Sequence, residues 1–318
     1  MTGLGPISEP LPNRPAGTWP FPDGHGAAFR VVATAQDYLT LMKPRIILLL
    51  LITTGTTMIV ASPHHVAFGT LVFTLLGGTL AAGSANAFNM YLDRDIDAVM
   101  QRTRLRPIPT GRLSPRQALG FGIAVGLLSI VIMAGGVNGL SAALSTAGIV
   151  FYVIVYTYWL KRRTPQNIVI GGAAGAIPPL VGWAAAVGHL ALPAIALFVI
   201  VFLWTPPHFW ALALTKVDDY RTAGVPMLPV SRGDRVTRRH IFIYALLLSA
   251  ATMTLFVPLH ALGVVYLVAA ATLDSLFVYL AWTVLKKPSL LAAGMLFGYS
   301  IAYLTLLFIA MVADRLIA

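Results

Sequence analysis

Asn86–Arg112 reads NAFNMYLDRDIDAVMQRTRLRPIPTGR, and the rest of the chain is arranged around it. The stretch is the tail of an apolar run that turns abruptly into three aspartates and five arginines. Asn89, Asp93 and Asp97 are spaced i, i+4, i+8, so a helix would carry them along one face. Three oxygen-bearing side chains on one face suit a hard divalent cation, and Mg²⁺ in particular takes a few carboxylates together with phosphate oxygens. Asn86 stands one turn earlier. Arg102, Arg104 and Arg106 follow as planar forks for phosphate or carboxylate. Any one of these residues alone reads as part of a solvated helix end and a basic, topology-setting loop. The whole set at the mouth of a membrane helix reads as a site, because acids there are costly and usually functional.

Composition places the stretch in a membrane. Of 318 residues, 58% are hydrophobic and 10% charged, and the mean hydropathy is +0.80. Soluble domains carry about 25% charge. With no cysteine, disulfides and thiolate metal sites are excluded. The net charge of +11 raises nucleic acid as a partner, but the placement of the charges argues against it.

Residues 1–36 are rich in Pro and Gly, lack a helical apolar period and predict a disordered tail without a signal peptide. Residues 37–318 predict one all-α transmembrane domain. Its nine apolar stretches, near 45–62, 67–89, 117–136, 139–160, 167–187, 191–214, 239–258, 261–284 and 291–313, are each long enough to cross a lipid bilayer. Of the 22 basic residues, all but Arg315 fall in the tail or in the even-to-odd loops. The positive-inside rule therefore predicts a cytoplasmic N-terminus and long loops, with the C-terminus outside. The basic charge is a topology signal and, in part, a binding surface, so no nucleic acid is expected. His64, His65, Asn138 and His189 fall in the opposite loops and are assigned nothing. Asp274, inside the eighth span, is either a hydrogen-bonded bundle residue or part of a polar cavity.

The loop between the sixth and seventh spans carries a second acidic cluster, with Lys216, Asp218, Asp219, Tyr220 and Arg221. Both clusters stand at the C-terminal end of a span, where the helix dipole disfavours negative charge and a bound cation would offset the penalty. Before the second lies WTPPHFWALAL, in which the prolines free backbone carbonyls and His208 faces an aromatic, partly polar pocket. Such a histidine is either packed and hydrogen-bonded or in contact with substrate. A third patch, KRRTPQNIVIGGAAGAIPP, sets Lys161, Arg162 and Arg163 before a Gly-rich span suited to close packing, with Asn167 as a polar contributor.

These blocks resemble a known family. NMYLDRDID is similar to the first aspartate-rich motif of the UbiA superfamily of intramembrane prenyltransferases, and RTRLRPIPTGRLS to the Arg-rich loop after it. LMKPRI, TPQNIVIGGAAGAIPP, WTPPHFWALAL and DDYRTAGVPMLPV bring the chain closer to one branch, the protohaem IX farnesyltransferases or haem O synthases, with blocks in order from Lys43 to Val230. The resemblance implies a nine-helix bundle around a central cavity, open laterally to lipid and capped by the two cytoplasmic loops, in a bacterial inner membrane. It implies transfer of the farnesyl group of farnesyl diphosphate to a vinyl group of haem B. Asn89, Asp93 and Asp97 would hold Mg²⁺ against the diphosphate, and a downstream haem A synthase is the candidate partner. Lys43, Arg45, Lys161, Arg162 and Arg221 join the arginines above as candidates for diphosphate or haem propionates, and His208 is the candidate axial ligand.

In one place the chain departs from the superfamily. Many members carry a second pair of aspartates four apart, and Lys216 and Tyr220 stand in those positions here, with Asp218 and Asp219 between. The haem O branch shares that pattern. It makes Lys216, Asp218, Asp219 and Tyr220 candidate catalytic residues beside Asp93 and Asp97, and weakens the expectation of a second carboxylate pair. Two other readings compete. A prenyltransferase for an aromatic acid is disfavoured by Lys216, Tyr220 and the WTPPHFW block. A secondary transporter is disfavoured because the acids gather at one membrane face instead of mid-bilayer.

Overall fold

Helices begin and end in this chain where its prolines, glycines and small polar residues allow. The structure, a computed structural model, describes residues 34–317, and the predicted tail through residue 33 lies outside them. Thr34 and Asp37 form a capping box, so α1 (Ala35–Met42) starts within the last residues assigned to the tail. Pro44 sits in the first turn of α2 (Pro44–Ala61), where its missing N–H costs nothing. Next come α3 (Phe68–Leu92) and the short α4 (Arg94–Val99). Ser114 and Gln117 cap α5 (Pro115–Gly136). The Asn138 side-chain Oδ1 accepts the Ser141 N–H at 2.8 Å to open α6 (Gly139–Val150), which runs on as a π-helical segment, Phe151–Leu160. α7 (Asn167–Val187) ends on Gly188, whose φ of 77° is open to glycine at little cost. The order is completed by α8 (Leu192–Leu214), α9 (Val217–Thr222), α10 (Leu228–Met253), α11 (Val264–Lys286) and α12 (Leu290–Ile317).

Nine long helices are thus present, in the predicted order, and the described residues contain no strand. Eight are individually long and apolar enough to span a bilayer. The ninth, α10, corrects the predicted 239–258. It begins at Leu228 and stops at Met253, because its first turns are polar (Arg232, Asp234, Arg235, Arg238 and Arg239) and Gly233, at φ 79°, joins two helical pieces. Each of the two loops predicted as long holds a short helix, α4 and α9.

Small residues let the helices approach. Between α3 and α5, Ser84 Oγ donates to the Gly122 carbonyl and Ser129 Oγ to that of Gly77, both at 2.7 Å. Gly182 of α7 faces the Thr54 carbonyl of α2 so closely that a Cβ there would strike backbone. Such contacts replace hydrophobic drive, which is absent among lipid tails. The main buried core lies among α7, α8, α10, α11 and α12. Asp274 belongs to it: its carboxylate accepts the hydroxyls of Thr252 and Tyr303, each at 2.6 Å. Of its two readings, the hydrogen-bonded bundle residue is the one present. At the far end of α12, Asp314 accepts the N–H groups of Gly263 and Tyr266 at 2.6 and 3.0 Å, while Arg315 Nε donates to the Val60 carbonyl at 3.3 Å.

Candidate active site

The face predicted to carry Asn89, Asp93 and Asp97 is not one continuous helix. α3 ends at Leu92, Asp93 is the joint (φ −90°, ψ 7°), and α4 restarts at Arg94. The Asp97 N–H still donates to the Asp93 carbonyl at 2.7 Å, so the i, i+4 relation survives the break. The joint turns charge into the protein: Asp93 is 0% and Asp97 2% exposed. Buried carboxylates need partners, and each has found cations. Lys161, just past the π-helical segment, contacts Asp93 Oδ2, to which Asn89 Nδ2 also donates at 2.7 Å. Arg106 grips both oxygens of Asp97 at 2.8 and 2.7 Å. Lys43 Nζ reaches Asn89 Oδ1 at 2.8 Å from a left-handed corner (φ 58°) between α1 and α2. Burial, with Arg106 and Lys161 adding like charge, pulls the Lys43 pKa down to about 7.

Around this cluster the supporting contacts are local. Thr157 Oγ1 accepts from Asn89 Nδ2 at 3.2 Å and donates to the Tyr152 carbonyl at 2.9 Å. Asn86 Nδ2 donates to the Met42 carbonyl at 2.8 Å, tying α3 to the Lys43 corner. Asn167 Nδ2 donates to the Lys161 carbonyl at 3.3 Å. Arg162 forks onto Asp95 at 2.6 Å for both bonds and lies 3.9 Å from Asp93. Burial raises the Asp95 pKa, but the Arg162 hydrogen bonds and charge outweigh it and leave it low. A separate pair, Arg112 Nε to Asp37 Oδ1 at 2.8 Å, latches α1 to the basic loop. That pair is absent from the sequence-predicted set, as are Thr157 and Thr103, whose Oγ1 donates to the Asp97 carbonyl at 3.1 Å. Thr157 had a signal, as a lone hydroxyl in the aromatic run FYVIVYTYWL.

The remaining candidates lie apart from the cluster. Arg45, Arg102, Arg104 and Lys216 are exposed, and no polar partner is found for their side chains among the described residues. Asp218 is exposed and pairs with Arg221 at 2.6 Å. Asp219 Oδ1 accepts the Gln101 N–H at 3.4 Å, which joins the loop of α9 to the loop of α4. Tyr220 is buried. His208 lies in the α8–α12 seam, stacked on Trp204 at 4.4 Å and Phe297 at 4.7 Å. Ser300 Oγ spends its one proton on the Phe297 carbonyl at 2.6 Å, so His208 Nδ1–H donates to Ser300 Oγ at 2.6 Å, and Nε2 keeps its lone pair.

Residues 49–312 match the model of the UbiA prenyltransferase family. The chain belongs to the UbiA prenyltransferase family. Among its relatives in the family, the protoheme IX farnesyltransferase of Gloeobacter violaceus is 54% identical over 90% of this chain and 94% of its own. That of Synechocystis sp. is 54% identical over 89% and 90%, and that of Symbiobacterium thermophilum 51% over 88% and 94%. The UbiA fold is shared with a solved digeranylgeranylglyceryl phosphate synthase (TM-score 0.75, 18% identity, 89% of this chain and 99% of that one). It is shared also with a UbiA homologue from Archaeoglobus fulgidus bound to GPP and Mg²⁺ (TM-score 0.62, 16% identity, 86% and 99%). As a UbiA protein the chain is a multi-pass membrane protein and an intramembrane prenyltransferase.

In this UbiA member the donor set suits a hard cation only in combination with a ligand. Among the described residues, no group of three or more Asp, Glu, His or Cys side chains could hold a metal ion. Two buried carboxylates and an amide are present, and Asp93 Oδ1 is buried with no hydrogen-bond partner. An orphan carboxylate oxygen of that kind fits Mg²⁺ whose other positions are filled by phosphate oxygens and water.

Proposed function

We propose that this chain transfers the farnesyl group of farnesyl diphosphate to a vinyl group of haem B, giving haem O. The observation that carries the chemistry is the buried Asp93, one carboxylate oxygen of which has no hydrogen-bond partner, set near Lys43, Lys161 and Arg106. The acceptor is supported by relatives more than half identical across most of the chain and named protoheme IX farnesyltransferase.

In this reading Asn89, Asp93 and Asp97 hold Mg²⁺, which when bound supplies positive charge against the diphosphate oxygens. Lys161 and Arg106 already hold the two aspartates and Lys43 holds Asn89, and all three turn to the diphosphate when it arrives. The C1–O bond of the farnesyl group breaks and the electron pair leaves with the diphosphate, whose charge these cations neutralise. The vinyl π electrons of haem B close on the allylic carbon. Water then adds to the resulting cation and loses a proton, which leaves a hydroxyethyl farnesyl side chain. Tyr152 and Tyr156, with rings 5.2 Å apart, precede Thr157 in the same segment and offer π faces to the allylic cation. His208 Nε2, with its lone pair free, is the candidate ligand for the haem iron. Arg102, Arg104 and Arg162 are candidates for the propionates. Lys216, Tyr220 and the Asp218–Asp219 pair act on the diphosphate from the α9 loop. The basic end of the bundle faces the cytoplasm, and the product is passed to a haem A synthase.

Expression in cells devoid of haem O, followed by chromatography and mass measurement of extracted haems, tests the reading. A new haem heavier than haem B by one farnesyl group and one hydroxyl group supports it. A prenylated aromatic acid with unchanged haem would overturn it.

A further inference from the structure

Basic side chains gather at a second place, where α10 passes the turn between α11 and α12. A cavity of about 470 Å³ there is lined by Arg235, Arg238, Leu285, Lys286 and Pro288. A neighbouring one of about 230 Å³ shares Arg238 and Pro288 and adds Asp234 and Leu214. Neither uses a residue of the Asn89–Asp97 cluster. Asp234 Oδ2 accepts from Arg238 at 2.9 Å. It leaves Arg235 and Lys286 without an ion-pair partner among the described residues.

The charge sits on an apolar slope. Arg235, Arg238, Phe242 and Leu246 follow each other by three or four residues, so one stripe of α10 is basic for two turns and apolar for the next two. α11 runs the same gradient, from Lys286 through Trp282 to Tyr279. Lys286 Nζ lies 4.6 Å over the Trp282 ring, and Trp282 tilts against Phe242 at 5.4 Å. Below them Leu246 and Tyr279 remain 46% and 62% exposed. A cationic cavity at the level of an aromatic belt, above an exposed apolar seam, has the polarity profile of one ligand class. We propose that this cavity binds the phosphate head group of an anionic phospholipid, with its acyl chains along the α10–α11 seam. Basic residues that only set topology would be spread in solvent. Here two helices bring them to one concave site, and a soluble phosphate would match its upper half alone.

The test is a lipid titration of the purified full chain in detergent, read by native mass spectrometry. Phosphatidylglycerol should bind well ahead of phosphatidylcholine. Each basic side chain near an anionic lipid strengthens binding about five-fold, so Arg235→Gln with Lys286→Gln should weaken phosphatidylglycerol binding roughly 30-fold. Lys286→Arg should keep it near wild type, which separates loss of charge from loss of fold. Farnesyl transfer in lipid-free detergent should be unchanged in the double variant. Equal binding of the two lipids overturns the proposal, as does wild-type binding by the double variant. Displacement of the lipid by millimolar inorganic phosphate would make the site a soluble-anion site. Loss of haem binding in the double variant would assign the cavity to haem propionates.

Discussion

At the scale of single residues, Asp93 and Asp97 are each held by a cation of the chain. In the proposed reaction that cation has a second use, on the phosphate oxygens of the substrate. Asp93→Asn and Asp97→Asn should therefore each lower farnesyl transfer by at least about 100-fold, more than the tenfold or so expected for one weak contact. The amide is isosteric, so the protein should still extract as a folded species in detergent. Turnover within a few-fold of wild type at ordinary Mg²⁺ would remove that residue from the site. Lys216→Met is the sharper case, since Lys216 is exposed. A charge-assisted contact made only in the transition state is worth about 1.5–3 kcal/mol, so the variant should slow transfer roughly 10- to 150-fold with haem binding intact. A normal rate would make Lys216 a plain interface residue. The sequence made Asn89, Asp93 and Asp97 legible because their spacing is local. Thr157 and the Lys43 corner were less so, because their meeting with Asn89 spans 68 and 46 residues and no local pattern records it. Asp274 shows the reverse limit, since a buried acid looks the same in sequence whether it lines a cavity or, as here, caps a knot of hydroxyls.

At the scale of elements, periodicity gave the long helices and lost their ends. The α3–α4 joint falls inside an unbroken helical pattern, and only the need to bury two carboxylates against distant cations places a break there. α10 was misplaced because a span was expected to begin where charge stops, whereas its polar turns are helical and lie along the rim of the bundle. α1 was not foreseen, and its first two residues fell in the predicted tail. Its hold on the rest depends on the Arg112–Asp37 pair, and that hold has a pH signature. Hydrogen bonding by Arg112, aided by the Thr34 backbone, keeps the Asp37 carboxyl below its ordinary pKa of about 4. A lowered acid pKa stabilises the latched form at all pH above the unlatched value, and the contribution disappears as pH falls through the lower, latched one. Hydrogen exchange of the α1 amides should thus quicken below about pH 4. In Arg112→Gln it should already be quick at neutral pH, with no further acid step attributable to Asp37. Exchange insensitive to both changes would mean that apolar packing of Tyr38 and Leu41 holds α1 without the latch.

At the scale of the whole molecule, an odd number of spans would put the two termini on opposite sides of a membrane, and the placement of the basic residues predicts which side is cytoplasmic. Reporters fused after Leu113 and after Ser231 should be cytoplasmic, and one at the C-terminus should lie outside. Opposite labelling at either internal position would overturn the shared orientation of the two loops, and with it their joint covering of the diphosphate. The order of the long helices was readable in the sequence because apolar runs survive errors in helix boundaries; their packing order was not. The tie between Arg315 and the Val60 carbonyl adds a dimension of time. A ribosome releases α2 long before α12, so the bundle is an open arc through most of its synthesis, with the inner flank of α2 toward lipid or a chaperoning surface. The aspartates and Lys161 can meet while the chain is half made. The seam that holds His208 against Ser300, and the closure at Val60, wait for the last helix. A nascent chain thus brings its aspartates and Lys161 together first and its enclosure last, and under the proposed function an early stop would leave charged groups able to grip a diphosphate with no wall to keep water from the carbocation.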